Sequence, residues 1–437
     1  MPPGDGMPHS HKKSIAAGVP PRVRPAPTVP SGRAGSISSF IVHSHLRWDF
    51  VWQRPQQLLS RMSATAPVLF VEEPVVLEDL VRSHLVVTEP QPGIHRVVPH
   101  LVSRDGATQD TRDVATLALL RELVDADGPL GDRFATPVQW FYTPMPVPTM
   151  LGAFNELAVV YDCMDELAQF RFAPPDLVER ERTLLANADV VFSGGRRLYD
   201  AKRRHHQNVH FFGCGVDEKH YARARDAATV VPPEIAALRG PVLGYVGVID
   251  ERLDYDLIAH LATAWPEASI AMVGPVVKVD PAALPQSANI HWFGQRQYEQ
   301  LPSIVRGFDV CLMPFALNEA TEFINPTKTL EYLASGRPVV STPVPDVRAN
   351  FAPYVAIGAT PESFLTLVRD AVERPDPLHR ARGIEHARQN GWEQIVATMV
   401  QLIEDAARTR VATPLRQRVS ARPARDERET RTGTAAS

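Results

Sequence analysis

The residues best suited to chemistry lie in the run NPTKTLEYLASGRPVV, residues 325–340. Asn325 is a favourable N-cap, and Pro326 suits a first helical turn because its missing N–H would be unpaired there anyway. Gly336 suits the helix end, and the residues after it begin a strand. A helix start that points into a cleft offers unpaired amides and the positive end of the dipole, an arrangement that binds phosphate. Lys328 falls in that first turn, where dipole considerations favour acids; an anionic ligand accounts for it. Glu331 follows on nearly the same face. From there a carboxylate can accept both hydroxyls of a ribose while phosphates sit at the helix end. The alternative is an ordinary capped helix with a surface Lys328–Glu331 pair.

Two runs in the first half also carry candidates. HSHLRWDFVWQRPQQ, residues 43–57, gathers His43, His45, Arg47, Trp48 and Arg54 around a strand–helix turn. VVYDCMDE, residues 159–166, ends a strand on Asp162 and Asp165. Either aspartate can orient or deprotonate a hydroxyl, and Asp165 can equally cap the helix that follows. Asp254 and Asp256 have the spacing of a metal-binding pair but stand at a helix start, where aspartates cap. We assign no metal there. Cys163, Cys214 and Cys311 are too few and too scattered for a zinc site or a disulfide framework.

These runs need a scaffold, and the hydrophobic pattern supplies one. Near-continuous apolar segments at 37–44, 66–73, 137–143, 157–162, 189–194 and 209–213 read as strands buried on both faces. Amphipathic segments lie between them, and 84–104 reads as additional extended structure. A second series of strands follows at 241–248, 268–274, 288–294, 308–315, 337–343 and 354–358. The alternation predicts two Rossmann-like α/β domains, residues 37–221 and 241–408, joined by a linker at 222–240. They are expected to face each other across a cleft between the carboxyl ends of their sheets, where open α/β folds bind ligands. The stretch 376–408 is amphipathic, and either closes the second domain or crosses back to the first.

The chain ends differ from the middle. Residues 1–36 and 409–437 are rich in Pro, Ser, Ala and Arg, and we read both as disordered tails. The first holds Lys12, Lys13, Arg22, Arg24 and Arg33 against Asp5, and the second is likewise basic, while the whole 437-residue chain has a net charge of −4. The segment between is therefore acidic, which disfavours nucleic acid as a partner. No apolar run approaches the roughly 20 residues that a membrane helix needs. The N-terminus also lacks the apolar centre of a secretory signal. The expectation is a cytoplasmic protein, with the tails either solvated or in peripheral contact with the inner face of the cell membrane.

The pattern P-x-K-x-x-E-Y-L-A-x-G-x-P-V-V, after the strand FDVCLMPF, resembles the donor-nucleotide helix of GT-B-fold glycosyltransferases. It is most similar to glycosyltransferase family 4 and related bacterial cell-surface polysaccharide enzymes. WDFVWQRPQQLLSRM, VVYDCMDE and GPVLGYVGVIDERLDYDLI agree with it in order, so the resemblance covers about residues 37–408. It implies a metal-independent, retaining transfer of a sugar from a UDP- or GDP-linked donor to a glycan or lipid-linked acceptor, without a cofactor. It implies that Glu331 holds the ribose, Lys328 and Arg252 face the diphosphate, and Asn325 and Thr327 belong to the same donor site. Gly247 would let phosphate approach closely, and Phe293, Gly294 and Gln295 would lie at the base. On the acceptor side it makes Asp165 and His45 the catalytic candidates and Arg47, Trp48 and Arg54 the acceptor contacts. His45 as a structural turn residue is the alternative.

The chain also departs from that pattern. Phe323 stands where the family places a sugar-contacting glutamate, and Met164-Asp165 where many relatives carry His-Asp. Two other functions fit the same architecture: a nucleotide-sugar epimerase, and a catalytically silent nucleotide-binding protein. A NAD-dependent dehydrogenase is disfavoured, because no complete G-x-G-x-x-G follows a strand.

Overall fold

Strands covered on both faces become continuous apolar runs, and the chain builds two sheets from such runs. The computed structural model describes residues 36–170 and 173–412. The first sheet contains β1 (Phe40–Ser44), β2 (Val68–Glu72), β3 (Val75–Leu77), β4 (His84–Gln91), β5 (Ile94–Val102), β6 (Val138–Phe141), β7 (Ala158–Cys163), β8 (Val190–Ser193) and β9 (Val209–Phe211). Their order is β3-β5-β2-β1-β6-β7-β8-β9, with β4 pairing antiparallel to β5 and the other ladders parallel. Every residue of β1, β2, β7 and β8 is buried. β4 lies at the sheet margin and is largely exposed, so its pattern carries less apolar signal.

The second sheet contains β10 (Val242–Val246), β11 (Ser269–Val273), β12 (Ile290–Gly294), β13 (Val310–Met313), β14 (Val339–Ser341) and β15 (Ala356–Ile357). Its order is β12-β11-β10-β13-β14-β15, parallel throughout. This is the doubly wound arrangement, with the strand order reversing between β10 and β13. In the first sheet the reversal falls between β1 and β6. Ligands of such folds bind outside the carboxyl ends of the strands at these reversals, so the loops after β1 and β10 are the places to look.

Helices fill the segments between strands. Pro361–Glu373 is one such helix, its start fixed by Thr360, which caps the amide of Ser363. Asp254 accepts from the amide of Leu257 at 2.8 Å, so it caps the helix Tyr255–Ala264. The stretch 376–408 is two helices, Pro377–Arg388 and Trp392–Ala412. The second packs Trp392, Met399, Ile403 and Ala407 into the core on one face of the first sheet. It runs past residue 409, so the tail boundary read from composition is too early. Arg410, counted there with the tail, pairs with Asp189. The rest of both tails, apart from Ser36, lies outside the described residues. Among the described residues, no helix is long and apolar enough to cross a membrane.

Candidate functional site

The helix Lys328–Ser335 is held by its own apolar face. Leu330, Leu333 and Ala334 are buried in the second-domain core. Tyr332 ties the helix to the end of β10: the amide of Val246 donates to its hydroxyl at 2.8 Å, and the hydroxyl donates to the Val246 carbonyl at 3.3 Å. Gly336 ends the helix at φ 72°, a left-handed conformation that favours glycine. The start differs from expectation. Asn325 does not cap the helix, which begins after Thr327 without a side-chain cap. Instead the Asn325 side-chain amide donates to the carbonyl of Gly194 in the first domain at 3.1 Å, and the Asn325 backbone carbonyl accepts from the Cys214 thiol at 2.7 Å. Pro326 and Thr327 form an intervening turn, which moves Asn325 out of capping reach and makes it a contact between domains.

This placement directs Lys328 at the loop after β10. Its ammonium lies 5.5 Å from the centre of the Tyr245 ring. Burial and the neighbouring Arg252 charge push its pKa down, while Glu331 and Asp250 partly offset them. Among the described residues, no carboxylate forms a salt bridge with Lys328. Arg252 is bound bidentately by Asp250, through Nε at 2.9 Å and Nη2 at 2.7 Å. Burial works against its charge, but the Asp250 bonds keep the guanidinium protonated. Two cations therefore meet at the mouth of a helix start, and one of them, Lys328, forms no salt bridge among the described residues.

Glu331 lies on the same side of the helix, and its carboxyl is pushed up to about 7 by burial, against the pull of Lys328 and a hydrogen bond from Tyr221. Tyr221 lies in a short helix, Glu218–Ala222, that the sequence pattern does not reveal. Nearby, Trp52 of the first domain stacks on Tyr298 of the second, with centroids 5.4 Å apart and planes at 26°. Tyr298 also stacks on His220 at 4.0 Å and accepts from Gln57 Nε2 at 3.0 Å. Trp52, Tyr221, Tyr298, Lys328, Glu331 and Arg252 all line one cleft, with a cavity of about 190 Å³. Gly247, Asn325, Thr327, Arg54 and Asp165 line it too. Sequence reading missed the three aromatics; a second tryptophan four positions beyond Trp48 was the available signal.

Several first-domain candidates are placed elsewhere. Trp48 is 5 % exposed and packs edge-on against Phe70 in the core, so it offers no face to a sugar; burying an indole of that size outweighs exposing it. Arg47 donates to Glu72 at 3.0 Å and to the Glu73 carbonyl at 2.7 Å, and it does not line the cleft. Arg54 lines the cleft but is committed to Asp162, through Nε at 3.0 Å and Nη2 at 2.9 Å, and to the Phe212 carbonyl at 3.1 Å. Asp162 is thus a structural partner. His43 is buried in β1 against Phe141. His45 hydrogen-bonds the backbone at Tyr142, and burial with the charge of Lys278 holds its pKa near 4. It is outside the cleft lining.

Asp165 remains at the cleft, its carboxyl pushed up by burial and pulled back by Arg252 and Arg54. Gly294 ends β12 at φ 67° with its carbonyl accepting from Gly274, but Gln295 and Arg296 are the residues that reach the cleft. Phe293 is half-buried against the second-domain core. Phe323 lies under the Arg197 guanidinium at 5.7 Å, while Glu322 pairs with the same arginine at 2.8 Å. Both Glu319 and Glu322 are in a short helix capped by Asn318.

Residues 240–372 match the family model described as glycosyl transferases group 1. TuaH of Bacillus subtilis (strain 168), named as a teichuronic acid biosynthesis glycosyltransferase, is 25% identical over 237 residues, covering 49% of this chain. The chain spans 58% of that relative's length. Among solved structures, a sucrose-phosphate synthase of Thermosynechococcus elongatus superposes with a TM-score of 0.64 at 14% identity, over 85% of this chain and 99% of its own. The E. coli trehalose-6-phosphate protein bound with UDP-2-fluoro glucose gives 0.60 at 12% identity, over 84% and 99%. Two doubly wound domains around one shared cleft, with these likenesses, give this chain the GT-B fold, and its second domain carries the match to glycosyl transferases group 1.

Proposed function

We propose that the protein is a glycosyltransferase that moves a sugar from a nucleoside-diphosphate donor to a glycan or lipid-linked acceptor in cell-surface polysaccharide synthesis. The observation that carries this reading is Lys328, a buried ammonium that forms no salt bridge among the described residues, sharing a cleft with Arg252 and Glu331. A diphosphate supplies the direct anionic contact. Glu331 accepts the ribose hydroxyls, and Thr327, Lys328 and Arg252 surround the phosphates. Gly247 keeps the loop after β10 clear beside them.

In the transfer, the bond from the sugar C1 to the terminal phosphate oxygen breaks, and the acceptor oxygen bonds to C1. Negative charge builds on the leaving diphosphate, where fixed cations and the helix dipole stabilise it. Asp165 lies across the cleft, and burial raises its affinity for a proton. In this reading it orients the acceptor hydroxyl and takes its proton. Retention and independence of metal are part of this proposal. They rest on the resemblance and on the cations available to the diphosphate.

Phe323, which places no carboxylate at the expected sugar contact, favours a second reading: a protein that binds the nucleotide without turnover. Thermal stabilisation by UDP and by GDP tests the site, because a ligand of the native state raises the melting temperature. Failure of both removes the nucleotide reading. Donor consumption with and without added glycan or lipid-linked acceptor then separates transfer from epimerisation and from silent binding. Consumption that needs acceptor and survives EDTA supports the proposal. Loss of turnover in EDTA that magnesium restores overturns its metal-independent part, and NMR of the product's anomeric proton decides retention.

A further inference from the structure

We infer that Trp52 is a donor-binding residue contributed by the first domain, its indole N–H donating to a ribose hydroxyl whose own proton goes to Glu331. The inference rests on the nucleotide reading of the cleft.

Trp52 Nε1 is buried and has no hydrogen-bond partner among the described residues. Buried indole N–H groups are normally satisfied, and this side chain lines the cleft beside Glu331, Tyr221 and Tyr298. An indole nitrogen can only donate, and an ionised carboxylate can only accept. A hydroxyl does both, so one ribose hydroxyl placed between Trp52 and Glu331 completes the pair. A phosphate oxygen would satisfy the indole but not the carboxylate.

The ring is held where this requires it. One face stacks on Tyr298, and its edge meets Trp48 at 6.1 Å. Tyr298 is fixed in turn by the His220 ring and by Gln57. Gln295 Nε2 donates to the Phe50 carbonyl, a second tie between the same loop and the second domain. The indole is therefore held by contacts between the domains, and in this assignment the ribose site is complete only when the loop 50–53 sits against Tyr298.

Calorimetric affinities of UDP and of 2′-deoxy- and 3′-deoxy-UDP for wild type and Trp52→Phe test the assignment. Phenylalanine keeps the stack and removes the donor. The expected result is a loss of about tenfold for UDP. For the analogue lacking the bridged hydroxyl, wild type and variant should bind alike. Equal affinity of both proteins for UDP, or an equal loss for all three nucleotides, overturns the inference.

Should Trp52→Phe melt early, the six indole N–H signals of wild type provide an independent reading by ¹H–¹⁵N spectra. UDP should shift one of them downfield through its new hydrogen bond, and the matching deoxy analogue should not. No response, or the same response to all three nucleotides, overturns the inference. If neither UDP nor GDP binds wild type at all, the nucleotide reading falls and this assignment falls with it.

Discussion

Gly247 leaves the space that Lys328 fills: a Cβ on Gly247 would stand 2.0 Å from Lys328 Cε and 2.5 Å from Nζ. The backbone there has φ 150°, which side chains rarely adopt. The glycine after the first strand of the second domain is therefore what allows a lysine 81 residues later to reach the cleft. Sequence analysis assigned Gly247 to close approach by phosphate; in the structure its missing side chain first makes room for Lys328.

Gly247→Ala should accordingly separate binding from folding. The atoms it meets first are the flexible end of a lysine, so the fold can accommodate it at a backbone strain of about 1–3 kcal/mol. The ammonium, however, must move. Affinity for UDP or GDP, measured by calorimetry, should fall by about tenfold or more, comparable to losing a charge-assisted hydrogen bond. Unchanged affinity would mean that Lys328 does not contact the ligand.

Nucleotide affinity should also depend on pH through Glu331. With its carboxyl pushed up to about 7 by burial, the ionised form that accepts ribose hydroxyls becomes populated only near neutrality. Affinity should rise between about pH 6 and pH 8. The sign for stability is opposite. The folded pKa exceeds the ordinary 4.5, so between these values the native state binds more protons, and Glu331's contribution to stability falls as pH rises. Glu331→Gln should remove this component of both profiles, leaving weaker, flatter binding. A wild-type pH dependence that persists in the variant would assign it to another group.

Arg54 and Asp162 form a buried pair, 5 % and 0 % exposed. Asp162→Ala should cost about 3–5 kcal/mol, because it strands a buried guanidinium. Replacing both partners with apolar residues, Arg54→Met with Asp162→Leu, should recover most of that loss. Urea unfolding of the wild type and the two variants checks this. A double variant as unstable as the single one would show that the site needs its charge for more than mutual compensation.

The basic extension remains a test of membrane contact. Beyond residue 412 stand Arg416, Arg418, Arg422, Arg425, Arg428 and Arg431 against Asp426, Glu427 and Glu429. Each basic group near an anionic surface contributes about 1 kcal/mol, screened by salt. Deleting residues 413–437 should leave nucleotide affinity and melting temperature unchanged while lowering salt-sensitive sedimentation with anionic vesicles. Equal sedimentation of both forms would leave any membrane contact to the folded domains.

Local patterning determined most of the framework. Strands such as β1, β7 and β8 are legible because burial on both faces demands continuous apolar residues, and the helix after Thr327 because Lys328, Glu331 and Gly336 stand at helical spacing and at a helix end. The helices Glu218–Ala222 and Pro345–Phe351 are too short to show a period, and the exposed edge strand β3 spans only Val75–Leu77.

That Lys328 belongs to the cleft was likewise readable, since a lysine in a first turn is locally unfavourable. Which aromatic faces the cleft was not. Trp48 and Trp52 share one segment and one residue type, yet Trp48 is buried beside Phe70 and Trp52 meets Tyr298 from the other domain. Likewise Arg54 is drawn to Asp162, and Asn325 leaves its capping role for Gly194. These partners are far apart in sequence, and no local periodicity encodes them. They are decided by competition for burial and hydrogen bonds once both sheets have formed, which is why the chain's own sequence supplied the candidates but only the tertiary structure selected the side chains that reach the cleft.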